Sequence, residues 1–214
     1  MNNTTSTKRA LILVDIQTDF CPGGALAVPK GDEVVGVANR LMGRFGVVAA
    51  TQDWHPAGHG SFASSHAGAK VGDVVELAGL PQILWPDHCV QGTRGANFVA
   101  GMNVAGTHKV FRKGSDPGID SYSGFFDNGR RSATGLSEYL KGRGAGDVYV
   151  CGLATDYCVQ ATALDAVGPC FKTYLVEDAC RGVELRPGDV QQAINQMQAH
   201  GVTIVRAGEI KAAR

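Results

Sequence analysis

The chain has 214 residues, and its 20 basic side chains are balanced by 20 acidic ones. A balanced charge argues against nucleic acid and anionic membrane as partners, because both are bound by concentrated basic surfaces. It suits a small, nearly neutral substrate instead. The length and the 44% hydrophobic content predict one globular domain over residues 9–214, preceded by a disordered polar tail over residues 1–8.

The first apolar run begins at Ala10 and stops at Asp15. It is too short for the core of a signal peptide or for a membrane span, so we expect a cytoplasmic protein. The six cysteines include no Cys-x-x-Cys pair, which argues against a zinc ribbon or a thioredoxin-like motif. In a reducing compartment, the default interpretation of each cysteine is a small buried hydrophobic residue.

Short apolar runs alternate with helical patterns along the chain. Six runs have the length and composition of buried strands: residues 10–14, 47–51, 109–112, 148–152, 173–176 and 202–205. Apolar residues at helical spacing predict four helices, within residues 34–45, 136–140, 159–166 and 190–197. This alternation predicts a three-layer α/β/α fold with a six-stranded, mostly parallel sheet and right-handed crossovers.

The stretch from Trp54 to Gly106 lacks either pattern and is rich in glycine, proline and histidine. An irregular region of this length in a compact domain is usually functional. It is therefore expected to contribute to the functional site.

Polar side chains follow the first four predicted strands. Asp15 ends the first strand, Asp53 the second and Lys113 the third, while the fourth leads through a short turn to Cys158. Ligands of open parallel sheets bind outside the carboxyl ends of the strands, so these four side chains are expected to converge there. Each alone has an ordinary structural explanation, such as a solvated strand end, but the combination favours a catalytic site.

Cys158 is expected in the first turn of the helix after the fourth strand, with Thr155 or Asp156 as the N-cap. A thiol in that position is exposed to the positive end of the helix dipole, which predicts a lowered pKa. The backbone N–H groups of the same turn can form an oxyanion hole. Taken alone, a buried and inert cysteine is the commoner interpretation.

Asp53 and His55 are two residues apart in an extended segment, so their side chains point the same way. His88, from the irregular stretch, can supply a third ligand. One carboxylate and two imidazoles suit Zn²⁺, Fe²⁺ or Mn²⁺ and leave positions open. His59 and Ser61 are further candidates. The alternative is that these histidines hydrogen-bond loop carbonyls, and spacing alone leaves both interpretations open.

A set of motifs spread over most of the chain resembles one known family. The motifs are residues 14–20 (VDIQTDF), 51–56 (TQDWHP), 85–93 (WPDHCVQGT), 112–114 (RKG), 120–125 (DSYSGF) and 152–159 (GLATDYCV). In this order and together they resemble nicotinamidases and pyrazinamidases, of the isochorismatase-like cysteine hydrolase superfamily. The resemblance also implies that the sheet has the strand order 3-2-1-4-5-6.

The resemblance implies a role for each matching residue. It implies a catalytic triad of Asp15, Lys113 and Cys158. It implies an oxyanion hole from the N–H groups of Ala154 and Cys158, with a cis peptide bond between Leu153 and Ala154. It implies one divalent metal ion held by Asp53, His55 and His88. Around the substrate ring it implies Phe20, Leu26, Trp85 and Tyr122.

The activity implied by the resemblance is the hydrolysis of nicotinamide to nicotinate and ammonia through a cysteine thioester, as part of NAD salvage. Pyrazinamide is expected as a second substrate. Two alternatives stay open: a related amidase for another small carboxamide, and a non-catalytic metal-binding or thiol-redox protein. Cys151 is a poor resolving thiol for the redox alternative, because it lies inside a predicted buried strand. The sequence also leaves open assembly as a homo-oligomer.

Overall fold

A computed structural model describes residues 8–168 and 171–212. Its strands are β1 (Lys8–Val14), β2 (Val47–Asp53), β3 (Val74–Leu77), β4 (Leu80–Ile83), β5 (Lys109–Lys113), β6 (Ala145–Leu153), β7 (Lys172–Arg181) and β8 (Thr203–Val205). Its α-helices are α1 (Glu33–Met42), α2 (Leu136–Gly142), α3 (Gln160–Val167) and α4 (Asp189–Ala199). Residues 1–7 of the predicted tail lie outside the described residues, and the single-domain boundary stays a prediction.

Six strands form one sheet in the order β5-β2-β1-β6-β7-β8. Every neighbouring pair in it is parallel. This confirms both the predicted six-stranded sheet and the predicted strand order. The order reverses between β1 and β6, and the crevice at such a reversal is where open α/β sheets bind their ligands.

The sheet is buried on both faces, as its composition predicted. Residues 10–14 of β1 are inaccessible to solvent, and every residue of β2 is buried. Right-handed crossovers that leave β1 and β6 in opposite directions place their helices on opposite faces of the sheet. The apolar stripe of α1, formed by Val34, Ala38 and Leu41, is buried. The three-layer arrangement is therefore confirmed. None of the described helices has the length and apolar character needed to cross a membrane.

The structure adds an antiparallel hairpin, β3–β4, inside the stretch that was expected to be irregular. Its two turn residues, Ala78 and Gly79, both have positive φ, 55° and 79°, as a tight hairpin turn requires. This hairpin has no clear sequence signal, because Ala-Gly is not a typical pair for this turn. Five of the six main-sheet strands are also longer than predicted, β6 and β7 by the most.

Gly152 brings β1 and β6 into close contact near the carboxyl end of the sheet. Its φ of 122° is one that side chains rarely adopt, and a Cβ there would lie 2.1 Å from the carbonyl oxygen of Val14. Glycine is therefore required at this position. The contact fixes the chain segments that carry Asp15 and Cys158 relative to one another.

Candidate active site

The Lys113 side chain is the centre of the site. Its ammonium group donates hydrogen bonds to Asp53 Oδ1 (3.1 Å), the Ser121 carbonyl oxygen (2.7 Å) and Cys158 Sγ (3.4 Å). These three bonds use all three of its N–H groups. The ammonium also lies 3.0 Å from Asp15 Oδ2. Burial lowers the pKa of the Lys113 ammonium, but the nearby Asp15, Asp53 and Cys158 raise it by more. The pKa of Lys113 is therefore well above its ordinary value, and the group is charged.

Asp15 is held in a strained conformation directly after β1. Its φ is 47°, a region that is unfavourable for residues other than glycine. Thr51 fixes it from β2, since the Thr51 hydroxyl donates to Asp15 Oδ1 (2.6 Å) and accepts the Asp15 N–H (3.2 Å). Asp15 Oδ2 is buried and accepts no hydrogen bond from the described residues. It therefore retains a lone pair that can receive a proton.

Burial raises the pKa of the Asp15 carboxyl, with Lys113 opposing the effect and Asp53 adding to it. A carboxylate with a raised pKa is a better proton acceptor. Asp15 therefore has both the free lone pair and the basicity that a general base needs.

Cys158 lies in a π-helical turn, Thr155–Val159, that precedes α3. The expected N-cap role of Thr155 or Asp156 is wrong, because Ala154 occupies the cap position and no side chain caps the turn. The Asp156 carboxylate instead accepts the N–H groups of Val183 (2.9 Å) and Glu184 (2.7 Å). The Leu153–Ala154 peptide is cis, as the resemblance implied.

The expected lowering of the Cys158 pKa is also wrong. Burial raises the pKa of this thiol well above its ordinary value, Lys113 lowers it, and Asp15 and Asp53 raise it. Desolvation of the thiolate and the nearby carboxylates outweigh the ammonium of Lys113. The thiol is therefore protonated at rest and must lose its proton when it reacts.

Asp53, His55 and His88 come together as a cluster of buried ligand atoms. Asp53 Oδ2 lies 3.0 Å from His55 Nε2 and 3.4 Å from His88 Nε2. The Nδ1 atoms of the two histidines lie 2.8 Å from the carbonyl oxygens of Gly114 and Pro86. A carbonyl oxygen only accepts, so each Nδ1 carries a hydrogen, and Nε2 is the nitrogen that can offer a lone pair to a metal.

His55 Nε2 shows that the cluster suits a metal ion. The atom is buried and has no hydrogen-bond partner among the described residues, and Asp53 Oδ2 lies 3.0 Å from it. A cation between the two would satisfy both. Burial lowers the pKa of His55, but Asp53 raises it, to about 8 net. Metal binding therefore has to displace a proton at neutral pH.

Of the two further candidates, His59 belongs to a second group of buried ligand atoms, with His55 and Asp120, and Ser61 contacts it. His59 Nδ1 accepts the Ser61 N–H (3.1 Å) and contacts the Ser61 hydroxyl (2.7 Å), while His59 Nε2 lies 2.8 Å from the Asp116 carbonyl oxygen. Both ring nitrogens are therefore occupied. His59 therefore remains a weaker ligand candidate than His88.

A narrow apolar pocket leads to Cys158 and Asp53. The four ring-packing residues implied by the resemblance all line it: Phe20, Leu26, Trp85 and Tyr122. The Tyr122 oxygen accepts hydrogen bonds from Trp85 Nε1 (3.2 Å) and Gln82 Nε2 (3.1 Å). These bonds fix the tyrosine and tryptophan rings, so the pocket wall is preorganised.

Several residues of the site were not assigned from the sequence. Asp120, Tyr157 and Val183 also line the pocket, while Thr51 and Gln82 hold its residues in place. Asp120 and Tyr157 lie inside the recognised motifs, and that signal could have found them. Val183 and Gln82 carried no sequence signal, because β7 appeared too short and β4 was not predicted. A larger groove outside the pocket shares only Tyr157 with it.

A parallel α/β sheet with a buried thiol, lysine and carboxylate at its switch point is the arrangement expected of an isochorismatase-like hydrolase. The model of the isochorismatase domain family matches residues 9–209. The chain belongs to the isochorismatase family.

Known relatives resemble the chain over nearly its whole length. The nicotinamidase of Escherichia coli K12 is 50% identical over 200 residues, which cover 92% of this chain and 93% of that protein. A solved nicotinamidase/pyrazinamidase of Acinetobacter baumanii is 44% identical, with a TM-score of 0.92 over 97% of this chain and 100% of that one. A Pyrococcus horikoshii pyrazinamidase, solved in complex with zinc, is 38% identical, with a TM-score of 0.76 over 93% and 99%.

Proposed function

We propose that the chain is a nicotinamidase, which hydrolyses nicotinamide to nicotinate and ammonia and also accepts pyrazinamide. The observation that carries this proposal is the Lys113 ammonium, which contacts Cys158, Asp15 and Asp53 at the end of an apolar pocket. A nucleophile, a base and a candidate metal site thus meet where a small ring could enter. The 50% identity to a known nicotinamidase supports the choice of substrate.

The reaction begins with the protonated thiol of Cys158. Asp15 Oδ2 takes the thiol proton while Sγ attacks the amide carbon of the substrate, so a C–S bond forms and the carbonyl oxygen becomes an oxyanion. Lys113 donates its hydrogen bond to Sγ and stabilises the negative charge in this cluster. The N–H groups of Ala154 and Cys158 serve as the oxyanion hole.

The tetrahedral adduct then collapses. The C–N bond breaks, and Asp15 returns the proton to the leaving nitrogen, which departs as ammonia. A water molecule attacks the resulting thioester while Asp15 accepts one of its protons. The C–S bond breaks, the acid is released, and the proton on Asp15 restores the thiol of Cys158.

Asp53, His55 and His88 would hold one divalent ion, Zn²⁺, Fe²⁺ or Mn²⁺. When bound, the ion supplies a Lewis acid for the ring nitrogen of the substrate and so orients the ring. The Asp53 carboxylate belongs to both halves of the site, because Oδ1 accepts from Lys113 and Oδ2 faces the two histidines. A solved relative that is in complex with zinc supports this proposal.

Purified protein is expected to release ammonia from nicotinamide and from pyrazinamide. Benzamide is the matched control, because it keeps the ring and the amide but lacks the ring nitrogen. We expect its kcat/KM to be lower by about 100-fold or more, since a site built for a polar contact strongly rejects an analogue that lacks it. Equal turnover of benzamide and nicotinamide would favour the related-amidase alternative, and no turnover of any of the three would contradict the proposal.

Metal analysis is expected to give about one ion per chain, as a single three-ligand site implies. Asp53→Asn, His55→Ala and His88→Ala should each lose it, whereas His59→Ala should retain it. Binding should weaken as the pH falls below about 8, because the proton on His55 then competes with the metal. A His59→Ala protein without metal, beside a His88→Ala protein with metal, would show that the ligand set is wrong.

We propose that the protein works in the cytoplasm on a small-molecule substrate. The described cysteines are all free thiols, which suits a reducing compartment and a thiol nucleophile. The homo-oligomer stays a prediction, and size measurement in solution would test it.

A further inference from the structure

Asp120 is a buried carboxylate that the mechanism above does not use. It is 3% exposed and lines the substrate pocket beside Asp53. Its Oδ2 accepts a hydrogen bond from Gln82 Nε2 (3.0 Å), and its Oδ1 accepts the Ser121 N–H (2.7 Å). Two donors thus fix the carboxylate, one of them from the β3–β4 hairpin.

The described residues place no lysine or arginine in an ion pair with Asp120. Its nearest ring nitrogen in the ion-pair contacts is His55 Nε2, 4.0 Å from Asp120 Oδ1, and His59 also has a ring nitrogen within 4.8 Å of an Asp120 carboxylate oxygen. His55 Nε2 is the same buried nitrogen that has no hydrogen-bond partner. A buried carboxylate without a positive charge is costly, so the arrangement calls for a cation near His55.

The charges of the whole cluster lead to the same conclusion. Asp15, Asp53 and Asp120 contribute three carboxylates, and Lys113 contributes one ammonium. A divalent ion beside Asp53 and Asp120 would make the cluster neutral, whereas without Asp120 it would leave an excess positive charge. With Asp120 included, the negative charge of the cluster is balanced by Lys113 together with a divalent ion.

Asp120 belongs to a second group of candidate ligand atoms, with His55 and His59, but it lies farther from His55 than Asp53 does. Ligand atoms on a tetrahedral ion at about 2.1 Å lie roughly 3.4 Å from one another. Asp53 Oδ2 meets that spacing to both histidines, at 3.0 and 3.4 Å. Asp120 Oδ1, at 4.0 Å from His55 Nε2, does not.

We propose that Asp120 is the charge-balancing carboxylate of the metal site, held in place by Gln82. The inference rests on the proposed metal site at Asp53, His55 and His88. In this proposal the charge of Asp120 increases the affinity of the site for a divalent cation. Gln82 is the positioning residue that keeps the carboxylate directed toward the cluster. Partners of this kind outside the ligand set commonly change metal affinity by about 10–100-fold.

The test measures the dissociation constant of Zn²⁺ for metal-free protein against a competing chelator at fixed pH. Asp120→Asn keeps the shape and removes the charge, and we expect a dissociation constant about 10–100-fold higher. Asp116→Asn is the matched control, because that exposed carboxylate lies in the same loop and only accepts the Gly118 N–H (2.8 Å). It should bind Zn²⁺ within twofold of the wild type.

Gln82→Leu provides a second variant in which the charge stays but its support is lost. We expect the dissociation constant of Zn²⁺ to rise relative to the wild type, but less than it does in Asp120→Asn. Thermal melting of each metal-free variant checks that it is folded. If Zn²⁺ binds the wild type and both variants equally, the role of Asp120 is refuted and the metal site stands. If Zn²⁺ does not bind the wild type at all, both the metal site and the role of Asp120 are refuted.

Discussion

Replacement of Cys158 by alanine is expected to abolish ammonia release from nicotinamide, with a loss on the order of 10⁴-fold or more. Without Sγ no thioester can form, and none of the other groups around the Lys113 ammonium is a comparable nucleophile. The fold should persist, because a methyl group fits where the thiol was and removes only one hydrogen bond. Ammonia release and thermal melting, measured on the same preparation, check both parts.

Cys151→Ala is the matched control for this variant. Cys151 is a buried thiol of β6, in the same segment of chain, but it lies inside the strand rather than in the nucleophile turn. We expect near-normal turnover. Substantial activity in Cys158→Ala, or its loss in Cys151→Ala, would show that the nucleophile has been assigned to the wrong residue.

We expect Lys113→Met to lower the free energy of unfolding by about 3–5 kcal/mol relative to the wild type. The variant should also lose activity. The change leaves the Asp15 and Asp53 carboxylates buried without the ammonium that pairs with both. Removing one partner of a buried ion pair has a cost of that size, because the remaining charge is uncompensated. Denaturant unfolding measures the difference.

The pH dependence of Lys113→Met follows from the same charges. Burial already raises the pKa of Asp15, and Lys113 opposes that effect, so the pKa should rise further without the lysine. A carboxyl whose folded-state pKa lies above its unfolded value binds protons more tightly in the folded state. Its destabilising effect is therefore relieved as the pH falls. The stability deficit of Lys113→Met should therefore shrink as the pH falls.

Lys109→Met is the control at the other end of β5, where the exposed lysine lies over the Phe111 ring at 4.9 Å. Losing this contact should change stability by no more than about 1 kcal/mol. Equal destabilisation by the two substitutions would mean that the buried charge of Lys113 is not what stabilises the site.

The sequence predicted the fold because the main strands are apolar and short, and because polar residues mark their carboxyl ends. Asp15, Asp53 and Lys113 could be placed together from the rule for parallel sheets alone. The β3–β4 hairpin could not be predicted in this way. Its strands are half exposed, and its Ala78-Gly79 turn adopts positive φ without the usual sequence signature.

The errors at the site arise from burial, which local sequence does not reveal. The helix-dipole argument for Cys158 considered the turn but not the desolvation of the thiol by residues distant in the chain. Gln82 and Asp120 are 38 positions apart and meet only through the folded hairpin. The contact between them depends on packing, so it emerges from the structure alone, although the motif of residues 120–125 could have pointed to Asp120.

The contact between Gly152 and Val14 limits how this scaffold can be re-engineered for other amides. Libraries that alter positions next to that backbone contact would shift the nucleophile and the base together and lose the chemistry. Half-buried wall residues such as Leu26 and Val183 offer a safer choice. They lie on loops that line the pocket. Substitution of either by a smaller residue should therefore admit bulkier rings, while the sheet and its charged cluster stay unchanged.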